Sequence, residues 1–149
     1  MTSSTGLLAG KKGLIMGVAN DRSLAWGIAR SVAQHGADLA FSYQGEALER
    51  RVRPLAASVN SDFLIPCDVT DDASLTALFD SIRERWGQLD FLVHGIAFSD
   101  KEQLKGRYSD TTRENFRRTM DISCFSFTDA ARRAAAMMPD GGAMVTLTY

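Results

Sequence analysis

The sequence is poor in cysteine, histidine and proline. Its two cysteines, Cys67 and Cys124, lie far apart, and neither has a second cysteine or a histidine at metal-ligand spacing. With only two histidines in the chain, no Ser/His/Asp set can be assembled. We therefore predict no metal site and no hydrolase of that type, and we expect two buried, reduced thiols.

The chain also lacks an excess of charge and a long apolar run. Seventeen basic and eighteen acidic side chains leave a formal charge of −1, so no global positive field would attract nucleic acid or an anionic membrane. No segment has the length of a membrane span, and residues 1–10 do not resemble a signal peptide. We expect a soluble, cytoplasmic protein with no nucleic-acid or membrane partner.

Strand-like and helix-like segments alternate along all 149 residues. Apolar strands are predicted at 12–16, 37–43, 62–67, 89–94 and 143–148. Helices are predicted at 24–35, 46–59 and 71–86, with Thr70 as a cap, and a long helix opens at a Thr111/Glu114 capping box and runs to Met138. This alternation predicts a doubly wound, Rossmann-like α/β domain over 1–149, with its ligand at the carboxyl ends of the parallel strands.

The loop after the first strand is the most informative stretch. Gly17 suits a tight turn, Gly27 suits close packing of helix and strand, and the amides at the helix start face an anion such as a pyrophosphate. The spacing, G-x5-S-x-A-x-G, departs from the usual dinucleotide fingerprint. The loop also fits an ordinary strand-to-helix turn with Ser23 as a cap.

Three further loops reach the same sheet edge. Gln44 follows the second strand and can bond a ribose hydroxyl but cannot neutralise a 2′-phosphate, which favours NADH over NADPH; a solvated turn residue is the alternative. Asp68 can accept from an adenine amino group or from backbone amides in a turn. Gly95 allows close backbone approach, and His94 is interpreted as a buried imidazole with its hydrogen bonds satisfied.

Together these loops resemble the enoyl-acyl-carrier-protein reductases of bacterial fatty acid synthesis, a divergent branch of the short-chain dehydrogenase/reductases. The resemblance runs the whole length of the chain. The segments that carry it are Gly17-Val18-Ala19, Ser23-Leu24-Ala25-Trp26-Gly27-Ile28-Ala29, Leu39-Ala40-Phe41-Ser42-Tyr43-Gln44, Cys67-Asp68-Val69, Val93-His94-Gly95-Ile96-Ala97-Phe98, Asp121-Ile122-Ser123, Phe125-Ser126-Phe127 and Leu147-Thr148-Tyr149.

The resemblance implies a role for each loop in binding NADH. It assigns Gly17, Ser23 and Leu24 to the pyrophosphate, Gln44 to the adenosine region, Asp68 and Val69 to the adenine, Gly95 to the ribose and Ile122 to the nicotinamide region. Tyr149 matches the first of two tyrosines that flank the enoyl substrate, and is the expected catalytic residue. Ala97 stands where the family often has glycine, so its side chain slightly narrows the substrate pocket.

The resemblance also implies parts that this chain does not contain. The family's Tyr-x6-Lys pair, which polarises the thioester and holds the nicotinamide ribose, comes after the Tyr149 position. We therefore expect the N-terminal, cofactor-binding portion of a longer reductase, inactive alone, with a sheet incomplete at its C-terminal side. The full-length protein is expected to be a homotetramer that reduces enoyl groups carried on acyl carrier protein.

Three other functions remain open at this point. A noncatalytic NAD(H)-binding module or sensor would be consistent with the absence of the Tyr-x6-Lys pair from this chain. An NADPH-linked carbonyl reductase of the same superfamily fits the fold, although Gln44 and the expanded loop disfavour it. A structural interaction domain has only the basic pairs at 117–118 and 132–133 to support it, and such charges usually solvate a helix face.

Overall fold

Five parallel strands form a single sheet in the computed structural model, which describes residues 6–148. The strands are β1 (Lys12–Met16), β2 (Asp38–Tyr43), β3 (Phe63–Pro66), β4 (Phe91–His94) and β5 (Ala143–Thr146). They lie in the order β3-β2-β1-β4-β5, with every neighbouring pair parallel. This order confirms the doubly wound, Rossmann-like prediction, because the direction of winding reverses between β1 and β4.

Helical segments connect the strands and cover both faces of the sheet. The α-helices are α1 (Leu24–Gln34), α2 (Gly45–Ser58), α3 (Asp72–Trp86), α4 (Arg113–Met120) and α5 (Ser126–Ala135). Short 3-10 turns at Lys101–Leu104 and Tyr108–Asp110 precede α4, and a π-helical turn at Asp121–Phe125 joins α4 to α5. The predicted elements are therefore present, with ends displaced by one or a few residues.

The central strand β1 shows how the sequence fills two cores. Leu14 and Met16 pack on one face with α3 and α5, whereas Ile15 packs on the other face with α1 and α2. All three are fully buried, as the alternation of side chains along a strand requires. Burial of each such side chain contributes about 1.5–3 kcal/mol. The predicted apolar face of α3 is buried as expected and comprises Leu75, Leu78, Phe79 and Ile82.

Two predicted helix caps are wrong by one position. Asp71 rather than Thr70 is the N-cap of α3, and its carboxylate accepts from the Ala73 N–H. At α4 the N-cap is Thr112, whose hydroxyl accepts from the Asn115 N–H, so the Thr111/Glu114 capping box does not form. In both cases neighbouring residues share the right chemistry, and the entry path of the chain selects between them.

The predicted long helix from 111 to 138 is interrupted. The helical path is continuous from α4 through the π-helical turn into α5, which ends at Ala135, three residues before the expected end. At the interruption the Ser126 N–H bonds the Asp121 carbonyl, and the Ser126 hydroxyl donates to the Ile122 carbonyl at 2.6 Å.

Within residues 6–148, every helix is too short or too polar to span a lipid bilayer.

Candidate functional site

A cleft of about 600 Å³ opens at the carboxyl ends of the first four strands. Its walls come from the loops after β1, β2, β3 and β4 and from the junction of α4 with the π-helical turn. The lining residues are Gly17, Val18, Ala19, Ser42, Tyr43, Gln44, Leu48, Cys67, Asp68, Val69, Thr70, Gly95, Ile96, Ala97, Phe98, Arg118, Asp121 and Ile122. The cleft therefore lies at the switch point where doubly wound sheets bind ligands.

A shallower depression of about 290 Å³ adjoins this cleft at the start of α1. The two share Gly17, Gly95 and Ala97, and the shallower one adds Ser23 and Leu24. The residues predicted for cofactor binding, together with Ala97, thus line one continuous surface. Tyr149, the predicted catalytic residue, lies outside the described residues.

Main chain forms the floor between β1 and β4. Gly17 has a φ of +95°, and a β-carbon there would overlap the carbonyl of Gly95. At Gly95 a β-carbon would stand 2.9 Å from the Cβ of Ala25 and 3.2 Å from the Met16 carbonyl oxygen. The two strand ends are joined by a 2.8 Å hydrogen bond from the Gly95 N–H to that same carbonyl. Neither position can carry a side chain without displacing the backbone beside it.

Ser23 stabilises the β1–α1 loop and does not cap α1. Its Oγ accepts from the N–H groups of Ala19 at 3.0 Å and Asn20 at 3.1 Å, and its side chain makes no capping bond. Ser23 therefore occupies the N-cap position, as the alternative interpretation expected, but without the side-chain capping bond. The first amides of α1 are left facing the shallow depression, an arrangement that favours an anion.

Gly27 does not have the packing role expected of it. A β-carbon at this position would find nothing within 4 Å. The residues of α1 that are buried against the sheet are Ala25, Trp26 and Ala29. Two small alanines therefore provide the close helix–sheet contact that the sequence analysis assigned to glycine.

Asp68 is held in the turn after β3. Its Oδ1 accepts from the Thr70 hydroxyl at 2.7 Å and from the Thr70 N–H at 2.9 Å. These bonds, the hydroxyl first, hold the pKa of the Asp68 carboxyl below its ordinary value of 3.8, so the group is a carboxylate at neutral pH. The turn interpretation of Asp68 is thus observed, and its side chain still lines the cleft.

Gln44 and Cys67 complete this side of the cleft. Gln44 is an exposed residue at the N-terminus of α2, where its side chain makes no capping bond. Cys67 is buried as expected, and burial raises the pKa of its thiol to about 11, so it is not a nucleophile at neutral pH. Cys124 is exposed, because it lies on the outer side of the π-helical turn, and the expectation of two buried thiols is wrong for it.

Phe98 and Arg118 form the opposite wall. The Arg118 guanidinium carbon lies 4.7 Å from the centre of the Phe98 ring, a cation–π geometry. Ser123 fixes Phe98 by accepting from its N–H at 3.0 Å and donating to its carbonyl at 3.1 Å. Arg118 and Leu48 also line the cleft but were not predicted to do so. Both lie on helices, and nothing in the helical spacing of the sequence places them at the cleft.

The basic pair Arg132 and Arg133 forms contacts within the chain. Arg132 and Arg133 both bond the buried carboxylate of Asp129, at 2.6 and 3.2 Å, and Arg133 also donates to Thr76 at 2.9 Å. The bond from Arg133 to Thr76 joins α5 to α3. Because Arg132 and Arg133 bond groups of the same chain, they give little support to the alternative of a structural interaction domain.

His94 is buried and has both ring nitrogens paired, which confirms its interpretation. Nδ1 lies 2.9 Å from the Thr146 hydroxyl and Nε2 lies 2.7 Å from the Ser126 hydroxyl. Burial lowers the pKa of the imidazole, so His94 is neutral at neutral pH. It lies beneath the cleft floor and does not line the cleft.

Comparison with known proteins places this geometry in a family. A family model described as enoyl-(acyl carrier protein) reductase matches residues 17–149. Enoyl-acyl-carrier-protein reductase (NADH) 2 of Rhizobium meliloti strain 1021 is 68% identical over 144 residues, which cover 97% of this chain and 54% of the relative.

Solved structures agree with the sequence comparison. The crystal structure of FabI from Candidatus Liberibacter asiaticus superimposes with a TM-score of 0.95 at 61% identity, covering 97% of this chain and 56% of that one. The Anaplasma phagocytophilum reductase, solved in complex with NAD, gives a TM-score of 0.94 at 50% identity, covering 100% of this chain and 57% of that one. This chain therefore spans about half the length of these relatives. The match over residues 17–149 confirms the resemblance carried by the loops, and the chain belongs to the enoyl-(acyl carrier protein) reductase family.

Proposed function

We propose that this chain supplies the cofactor-binding part of an NADH-dependent enoyl reductase, which reduces the trans-2 double bond of enoyl thioesters carried on acyl carrier protein. The observation that carries the proposal is the cleft itself, which collects the predicted loop residues around a floor of bare main chain. A dinucleotide needs such a floor, because its pyrophosphate and ribose approach the backbone closely.

The described residues fit the dinucleotide. Gly17, Ser23 and Leu24 would face its pyrophosphate beside the uncapped start of α1. Gly95 would face a ribose and Ile122 the nicotinamide end. The pocket walls formed by Gln44, Asp68 and Val69 would hold the adenosine end.

Charge favours NADH over NADPH at the adenosine end. Gln44 is uncharged and exposed, and can share hydrogen bonds with a ribose. Arg50, a nearby cation on α2, lies 3.4 Å from the Glu46 carboxylate in an ion pair. Arg50 would therefore offer a 2′-phosphate little uncompensated positive charge.

Bound NADH would supply the hydride for the reduction. His94 and Cys67 are excluded as proton donors to a substrate, because the first is neutral, buried and fully paired and the second keeps its proton. Phe98, Arg118 and Ile122 form a wall that would keep water from the nicotinamide end. We assign stabilisation of the thioester oxygen to a Tyr-x6-Lys pair outside these residues, and contact with the enoyl substrate to Tyr149 and Ala97.

The family relationship supports the remaining parts of the proposal. The relatives are about twice as long as this chain, so we place its activity in a longer, cytoplasmic single-domain protein of which 1–149 is the N-terminal portion. We propose a homotetramer for that longer protein.

Calorimetry on the complete gene product tests the proposal. We expect NADH to bind more tightly than NADPH, and Gln44→Arg to improve NADPH binding about tenfold by adding a charge-assisted hydrogen bond. Gln34→Arg is the matched control, because Gln34 is an exposed glutamine at the far end of α1. NADH-dependent reduction of a crotonyl thioester would complete the test. Absence of NADH uptake, or tighter binding of NADPH by the wild type, would overturn the proposal.

A further inference from the structure

Three consecutive hydrogen bonds run from the sheet into the helical layer beneath the cleft. The Thr146 hydroxyl on β5 lies 2.9 Å from His94 Nδ1, and His94 Nε2 lies 2.7 Å from Ser126 Oγ. Ser126 Oγ then lies 2.6 Å from the carbonyl oxygen of Ile122. His94 and Ser126 are both fully buried, so no solvent competes for these bonds.

The chemistry of the groups fixes the direction of every donor. A carbonyl only accepts, so the single hydroxyl proton of Ser126 is donated to Ile122. Ser126 Oγ must therefore accept from His94 Nε2–H, and the neutral ring then presents a bare Nδ1. That nitrogen accepts from the Thr146 hydroxyl. The assigned tautomer of His94 carries its proton on Nε2.

The end of this chain of bonds lies in the π-helical turn. The Ser126 N–H bonds the carbonyl of Asp121, which lies five residues back. In an α-helix this N–H would bond the carbonyl of Ile122, four residues back, so here it leaves that carbonyl without its usual backbone donor. The Ser126 hydroxyl takes the place of that backbone donor on the Ile122 carbonyl. Ile122 lies in this widened turn of the helix and lines the cleft.

We propose that Thr146, His94 and Ser126 are positioning residues, whose hydrogen bonds hold the π-helical turn so that Ile122 stands in the wall of the dinucleotide cleft. This inference rests on the proposed function, because it concerns the same site. None of the three residues lines the large cleft, so each would act on the ligand only through Ile122.

Ser126→Ala in the complete gene product tests the inference, with NADH affinity measured by calorimetry at a temperature well below unfolding. We expect the dissociation constant to rise about three- to tenfold, the range that loss of one hydrogen bond produces. Ser81→Ala is the matched control, because the Ser81 hydroxyl makes the same kind of bond, 2.8 Å to the Ala77 carbonyl on α3, away from the cleft. It should leave the dissociation constant unchanged.

Thr146 provides a second pair of variants should Ser126→Ala fold poorly. Thr146→Val keeps the volume of the side chain and removes the donor to His94, so we expect weaker NADH binding and a change in the imidazole nitrogen chemical shifts. Thr146→Ser keeps the hydroxyl and should restore both to wild-type values.

A double-mutant cycle with Ile122→Ala separates positioning from general stability. If Ser126 acts through Ile122, Ser126→Ala should have almost no further effect on NADH binding in the Ile122→Ala background. Additive effects, or a Ser126→Ala protein that binds NADH like Ser81→Ala, would overturn the inference while the proposed function stands. A wild-type protein that takes up no NADH would instead overturn the proposed function, and this inference with it.

Discussion

At Gly17 the chain turns away from β1 with a φ of +95°, and the carbonyl of Gly95 fills the place that a β-carbon would take. Two separate effects therefore act on any substitution there. One is the strain of a left-handed backbone in a residue with a side chain, and the other is steric overlap with the neighbouring strand end.

Gly17→Ala is expected to reduce the free energy of unfolding by about 3 kcal/mol, because strain and overlap add. Gly87→Ala isolates the first effect: Gly87 has a φ of +76° and nothing within 4 Å of an added β-carbon, so we expect a loss of only about 1 kcal/mol. Urea unfolding of both variants measures the difference. Equal losses would show that the close approach of the two strand ends contributes nothing.

The positions of several site residues could be predicted from the sequence. Gly17, Gln44, Asp68 and Gly95 follow strands directly, so the parallel topology alone brings them to one edge. Arg118 reaches the same cleft from a helix, and its position depends on how the segment from 99 to 112 folds back, which local sequence does not determine. The exposure of Cys124 was missed for a related reason, since a π-helical turn changes which residues of a helix face inward.

Among the elements, α3 has the most complete set of local signals. Asp71 caps its N-terminus, Gly87 ends it in a left-handed conformation, and basic residues occupy its last turn. Each of these features stabilises a helix end by satisfying backbone groups or by complementing the helix dipole.

Asp71→Ala should lower the free energy of unfolding by about 1 kcal/mol, because the Ala73 N–H loses its acceptor. Asp72→Ala removes a neighbouring carboxylate that interacts only with the helix dipole, so we expect a loss of about 0.3 kcal/mol. Thermal or denaturant unfolding distinguishes the two. A larger loss for Asp72→Ala would contradict the assignment of Asp71 as the cap.

The segment from α4 to α5 shows what local sequence signals cannot predict. The sequence predicted one helix opening at a capping box and running to Met138, and the helical path is indeed continuous from Arg113 to Ala135. At the π-helical turn within it, Ser126 bonds a carbonyl on its own helix and a histidine on a strand 32 residues earlier. A tertiary contact of this kind has no signature in the local pattern.

For the molecule as a whole, His94 connects three elements that are distant in sequence, two neighbouring strands of the sheet and a helix packed on it. It lies on β4, bonds Thr146 on β5 and bonds Ser126 at the start of α5. Its burial lowers the pKa of the imidazole below its ordinary value of 6.5. The imidazole therefore binds a proton more weakly in the folded protein than in the unfolded chain.

Stability is therefore expected to fall as the pH falls below 6.5, by up to about 1.4 kcal/mol per pH unit, until the folded pKa is reached. Urea unfolding over this pH range measures the slope. His94→Gln should remove most of it. His35→Gln, at an exposed histidine that bonds only the Ser31 carbonyl, should leave it as in the wild type. The same slope in His94→Gln and the wild type would contradict this account.

Topology was the most predictable property at this scale. Alternating apolar strands and helices allow few arrangements once right-handed crossovers are required, and the observed order is one of these. The two cores follow as well, because a strand covered on both faces alternates its side chains between them.

The glycine floor between β1 and β4 has a consequence for the energetics of binding. Ordering a flexible side chain against a ligand costs about 0.5–1.5 kcal/mol in rotamer entropy. At Gly17 and Gly95 there are no rotamers to order, and the backbone is already fixed by the hydrogen bond from Gly95 to Met16. A molecule resting there meets a surface that is preorganised before it arrives, so contact with that surface carries almost no entropic penalty on the protein side.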